Sequence, residues 1–188
     1  MNRISSWAVV LLILICMSAC EERKMRPENQ NVLVAYFSAS GKTRAAAKRV
    51  AKATGGDLYR IKPEKRYSRV DRYGHDKESR KQSRSYLEWL DSDARPAIQE
   101  TLGNIAHYDT IYLGYPIWYG SAPRAINTFI DSHDLTGKTI IPFATSGKTA
   151  IKRSVDRLRI TYPELRIQEG AILNNLPVDS VRIWIESL

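Results

Sequence analysis

Three short stretches hold residues whose types and spacing suit ligand chemistry. The first, Ser38-Ala39-Ser40-Gly41-Lys42-Thr43, packs three hydroxyls, a glycine and a lysine into one loop. Hydroxyls and free backbone N–H groups at a helix start suit a phosphate, because the helix dipole adds to them. Gly41 lets the backbone approach closely, and Lys42 brings an extra charge. The second, Gly114-Tyr115-Pro116-Ile117-Trp118-Tyr119-Gly120-Ser121, sets two aromatics between glycines. Just past a buried strand, Trp118 and Tyr119 are expected to be partly exposed and to stack on a planar heterocycle. Backbone N–H groups from Ile117 to Gly120 are expected to meet a polar ring edge. The third, Ala144-Thr145-Ser146-Gly147-Lys148, adds small residues and more N–H donors.

Other chemistries find no support. Gly-Lys-Thr occurs at 41–43, 137–139 and 147–149, but a triphosphate-binding P-loop needs another glycine five residues earlier. Those positions hold Tyr36, Ser132 and Pro142. No Gly-x-Ser-x-Gly elbow surrounds Ser38 or Ser40, which disfavours hydrolysis at either serine. His75, His107 and His133 are scattered and read as surface or capping residues, so no proton donor or catalytic dyad is assigned.

The loops need elements to position them. An apolar, β-branched run at 32–37 reads as a buried strand. It feeds an alanine-rich helix over 42–53 that Gly55-Gly56 stops. A short strand at 57–61 precedes a polar excursion over 64–94, with a turn or two of helix at 83–90. There Tyr86, Leu87 and Leu90 share a face. Arg95-Pro96-Ala97-Ile98 opens a helix ending near His107. Strands follow at 110–115, 139–144 and 166–173, alternating with helices at 123–130, 149–160 and 178–187. The last helix carries a stripe of Val181, Trp184, Ile185 and Leu188. This alternation predicts an α/β doubly wound fold with a five-stranded parallel sheet in the order 2-1-3-4-5. In such a sheet the ligand lies between the carboxyl ends of strands 1 and 3, which selects loops 38–43 and 115–121.

The 188 residues suit one domain, with 43% apolar and 26% charged side chains. Residues 1–19 stand apart. Arg3 gives a positive start, 8–15 is an apolar run too short to span a bilayer, and small residues precede Cys20. This describes a secretory signal peptide. Residues 20–31 then form a polar tether and 32–188 the folded domain. Cys16 leaves with the peptide, so the mature chain has a single cysteine and no disulfide. The net charge is +9, and Arg60–Arg84 holds ten Lys and Arg against four Asp and Glu. Such a surface favours anionic lipid or an acidic partner, while nucleic acid is not expected outside the cytoplasm.

Met17-Ser18-Ala19-Cys20 resembles the lipobox of bacterial lipoproteins, with Met where Leu is usual. The resemblance implies lipidation of Cys20, export, and anchoring to the bacterial cell envelope. The three loops, with Arg95-Pro96-Ala97-Ile98, Tyr108-Asp109-Thr110-Ile111 and Gly137-Lys138-Thr139-Ile140-Ile141-Pro142-Phe143, resemble the flavodoxin-like family over residues 31–188. That resemblance implies FMN as cofactor. Its phosphate would be held by Ser38, Ser40, Gly41, Lys42 and Thr43, with Pro116, Ile117, Trp118, Tyr119 and Gly120 lining the isoalloxazine. Thr145, Ser146 and Gly147 would close the other side. Lys42 stands where Asn is common in the family, Lys148 where a second glycine is common, and the basic charge contrasts with acidic soluble flavodoxins. The implied function is electron transfer, or reduction of a small acceptor such as a quinone, with redox donor and acceptor unassigned. An aromatic face and limited solvent are expected to lower the flavin's potential. The alternative is a flavodoxin fold without cofactor that serves as a surface binding module.

Overall fold

The computed structural model describes residues 31–73 and 75–188. The expected signal peptide, Cys20 and nearly all of the tether lie outside the described residues. Strand β1 (Val32–Phe37) is buried along its whole length, as a central parallel strand covered on both faces must be. It runs into helix α1 (Lys42–Thr54), which Gly55 ends in the left-handed conformation. Strand β2 (Asp57–Ile61) pairs with β1 on one side, and β3 (Thr110–Pro116) pairs with it on the other. Helix α4 (Arg124–Asp131) leads to β4 (Thr139–Thr145), and α5 (Lys152–Thr161) leads to β5 (Arg166–Ile167). The order is β2-β1-β3-β4-β5, all parallel, as expected from the sequence.

The fifth strand is broken. Instead of one strand over 166–173, β5 and a separate β6 (Ala171–Ile172) both pair with β4. The break lies opposite Pro142. Ile140 and Ala144 of β4 accept bonds from Gln168 and Leu173, so Pro142, with the same parity, faces that edge without an N–H. Gly170 fills the gap, and a Cβ there would stand 2.5 Å from the Pro142 carbonyl oxygen.

Each sheet face has its own core. Leu33, Ala35, Ile111, Leu113 and Ile140 meet α4 and α5 through Ile126, Phe129, Val155 and Leu158. Val34, Tyr36, Tyr112 and Phe143 meet α1 and the closing helix α6 (Val178–Glu186). Val181 is buried and Trp184 lies edge-on to Tyr112, but Leu188 is 56% exposed and falls off the expected stripe.

The expected helix from Arg95 to His107 does not form; only a 3-10 turn, Ile105–His107, is present. Residues 97–99 run extended instead. Glu64 N–H bonds to Ala97 O, Gln99 N–H bonds to Lys62 O, and Pro63 bridges Ile98 in antiparallel fashion. Pairing with the chain leaving β2 overrides the local helical preference. The excursion contains α2 (Arg69–Tyr73), a 3-10 turn at Ser79–Gln82, and α3 (Arg84–Leu90). On α3, Leu87 and Leu90 are exposed, so the packed face is not the expected one.

Candidate functional site

The three loops gather at the carboxyl end of the sheet. Thr43 is 1% exposed, and its hydroxyl hydrogen-bonds the hydroxyl of buried Thr145 at 2.8 Å, joining the first loop to the third. Ile117 N–H donates to Thr145 O at 3.0 Å, joining the second loop to the third. One residue therefore pins all three.

In the first loop Ser38 is 5% exposed and its Oγ accepts from Gly41 N–H at 3.1 Å. Gly41 is the N-cap of α1, with φ of 90°. This left-handed geometry favours glycine, and nothing lies within 4 Å of where a Cβ would sit. The first helical bond is Ala45 N–H to Gly41 O, so the N–H groups of Lys42, Thr43 and Arg44 precede the ladder. The first turn has no acidic residue. Ser40 and Lys42 are exposed beside it. These donors suit an anion, and no carboxylate of that turn opposes one.

The second loop departs from expectation. Trp118 is 8% exposed, not partly open. It packs edge-on against Phe37 (5.5 Å) and Tyr67 (5.1 Å), a favourable aromatic geometry. The N–H groups of Ile117 and Trp118 are also engaged, by Thr145 O and Ser121 O, so they do not serve a ring edge. Trp118 and Ser121 exchange two 2.9 Å bonds around Tyr119 (φ 51°) and Gly120 (φ 73°). Positive φ at both central positions is a type I′ turn, which normally takes Asn-Gly. Tyrosine in this region costs about 1–2 kcal/mol, so other contacts must hold it.

Those contacts come from the excursion, whose part in the site the sequence reading missed. Tyr119 lies against Tyr86 (5.2 Å) and Trp89 (5.6 Å), and its hydroxyl approaches Ser83 Oγ and the Arg72 carbonyl. Arg84 sits 4.2 Å over the Tyr67 ring and pairs with Glu88, which accepts the Tyr67 hydroxyl at 2.5 Å. Burial and that carboxylate hold the Tyr67 phenol neutral far above the usual tyrosine range. A cavity of about 320 Å³ remains at the aromatic loop, bordered by Ile117, Trp118, Tyr119, Arg72 and Arg80. The aromatic spacing Tyr67…Tyr86…Trp89 within an otherwise polar segment was the available signal.

In the third loop Ser146 N–H donates to Asn174 Oδ1, and Asn174 Nδ2 donates back to Ser146 O, pinning it to the chain after β6. Asn174 was also missed. Gly147 and Lys148 are exposed, with open space at Gly147. His133 is a capping residue: Nδ1–H meets Phe129 O and Nε2 accepts from Leu102 N–H. Among the described residues, no group of His, Cys, Asp or Glu side chains is arranged to hold a metal.

A flavodoxin family model matches residues 31–188. A candidate flavoprotein from Bacteroides eggerthii is 46% identical, with 84% of this chain and 96% of that one covered and a TM-score of 0.79. One from Bacteroides uniformis is 48% identical over 84% and 98%, with a TM-score of 0.78. A Lactobacillus acidophilus flavoprotein in complex with FMN has the same fold at 21% identity, covering 83% and 99%, with a TM-score of 0.63. No curated protein sequence matches this chain. Sheet order, loop positions and sequence similarity agree: the chain belongs to the flavodoxin family.

Proposed function

We propose that this protein binds FMN and acts as a redox protein, carrying electrons or reducing a small acceptor such as a quinone. The observation that carries the reading is that Thr145 bonds both Thr43, at the phosphate-type helix N-terminus, and Ile117 of the aromatic loop. FMN supplies the redox chemistry, accepting and releasing electrons. The residues do the rest. Ser38, Ser40, Gly41, Lys42 and Thr43 hold the phosphate; Pro116–Gly120 and Thr145–Gly147 border the ring. Tyr86, Trp89 and Tyr67 keep water from the aromatic loop. Arg72 and Arg80 border the cavity there and favour negative charge, opposing the lowering expected from an aromatic face alone.

The mature chain is exported and anchored to the cell envelope through lipid on Cys20; the motif Met17-Ser18-Ala19-Cys20 supports this. Its electron donor and acceptor differ from those of acidic flavodoxins, since the surface near the site is basic. A cofactor-free binding module is a second reading, favoured by the burial of Trp118. Purified protein should be yellow, or should take up FMN with quenching of flavin fluorescence. Colourless protein that ignores added FMN would overturn the first reading and leave the second. Membrane partition of wild type, lost in Cys20→Ala, checks the anchor.

A further inference from the structure

A separate cavity of about 340 Å³ opens at the carboxyl ends of β1 and β2. Its floor is apolar and buried: Phe37, Ile61, Pro63 and Tyr67. Arg60, Lys62 and Arg66 line it, with Gln99 and Ser38 as neutral polar groups. No carboxylate lines it. Among the described residues, Arg60, Lys62 and Arg66 take part in no ion pair.

The arrangement follows from the chain. Arg60 and Lys62 stand two residues apart where β2 ends, so they project to the same side. The chain then turns at Pro63 and returns Arg66 to the same wall. The wall is rigid, because the 97–99 segment pairs with residues 62–64. Glu64 lies between these cations in sequence but does not line the cavity. Three like charges around a low-dielectric floor repel one another and focus a positive potential. An anion relieves that repulsion. The cavity adjoins the phosphate-type loop through Ser38 and Ala39, but Ser40 to Thr43 at the α1 N-terminus do not line it.

We infer that this cavity binds a phosphoester carrying an apolar group, with the phosphate among Arg60, Lys62 and Arg66 and the apolar part on Phe37 and Tyr67. The ligand is either a soluble aryl or nucleoside phosphate or the headgroup of an anionic phospholipid; both present the same chemistry. The site shares Ser38 with the loop assigned to FMN, but its three cations take no part in that assignment.

The test uses the full-length protein with saturating FMN, so that the α1 N-terminus is blocked. Calorimetric titration should show phenyl phosphate binding about tenfold more tightly than inorganic phosphate. The variant R60Q/K62Q/R66Q should lose about tenfold in phenyl phosphate affinity while its FMN affinity stays within about threefold. Arg66→Glu alone serves if the triple variant does not fold. Sedimentation with phosphatidylcholine vesicles, with and without phosphatidylglycerol, separates the sources. Charge-dependent vesicle binding displaced by phenyl phosphate assigns the headgroup; phenyl phosphate binding without vesicle binding assigns the soluble ester. Unchanged binding in the variants, or no binding of either probe, overturns the inference. If FMN does not bind but phenyl phosphate binding still depends on the three cations, the functional reading fails and this site stands.

Discussion

Loop 38–43 and the segment 64–94 border the same end of the sheet, yet they hold their shape by different means. The loop continues a buried strand directly into a regular helix, with a local bond from Gly41 N–H to Ser38 Oγ and a distant tie, Thr43 to Thr145. Among its described residues the segment has no helix longer than seven residues, and it is held by partners far along the chain: Tyr67 to Trp118, Tyr86 and Trp89 to Tyr119, Arg124 to the carbonyls of Glu88 and Trp89. The loop is built to present polar donors. The segment is built to cover aromatics. A mutation in the loop should therefore change binding more than stability, and one under the cover should do the reverse.

The largest effect belongs to the covered side. Trp118→Ala removes the centre of the Phe37–Tyr67–Trp118 cluster and should cost about 3–5 kcal/mol, read as a lower denaturant midpoint. A loss below about 1 kcal/mol would mean the cluster is not a core. On the loop side, Ser40→Asp puts a carboxylate at the α1 N-terminus. It should leave stability unchanged or raise it by up to about 1 kcal/mol, while weakening FMN binding about a hundredfold. Parallel losses of stability and affinity would erase the contrast between the two regions. Thr43→Val breaks the bond to Thr145 that ties this loop to the third loop, at about 1–3 kcal/mol for an orphaned buried hydroxyl.

The smallest effect is a pH dependence that belongs to neither region but to the core. Burial pushes the Tyr115 phenol up to about 12, against the small lowering from its bond with Ser154. Burial, then Asp131, does the same for Tyr162, to about 12. The fold holds both phenols neutral. Their contribution is intact below the ordinary tyrosine value of about 10 and is lost as pH rises toward 12. Thermal midpoints should hold level through pH 9 and fall above about 10, with a shallower fall in Tyr115→Phe.

The same contrast explains what was legible in the sequence. Strand and helix positions, sheet order and the phosphate-type loop followed from short-range patterns, because β1 and α1 are specified by their own residues. The missing helix after Arg95, the break opposite Pro142 and the burial of Trp118 all depend on partners distant in sequence. Tyr119 shows the limit most clearly. Nothing local favours tyrosine at a φ of 51°; only the cover, more than thirty residues earlier, holds it there.

The central claim is that the loop at the start of α1 holds a phosphate, and comparing FMN with riboflavin tests it most directly. The two ligands share the ring and differ by that phosphate alone. Fluorescence titration should give FMN binding at least about a hundredfold tighter than riboflavin, with the difference collapsing in Ser40→Asp. Equal affinity for the two flavins, or an FMN preference that survives Ser40→Asp unchanged, would contradict the account.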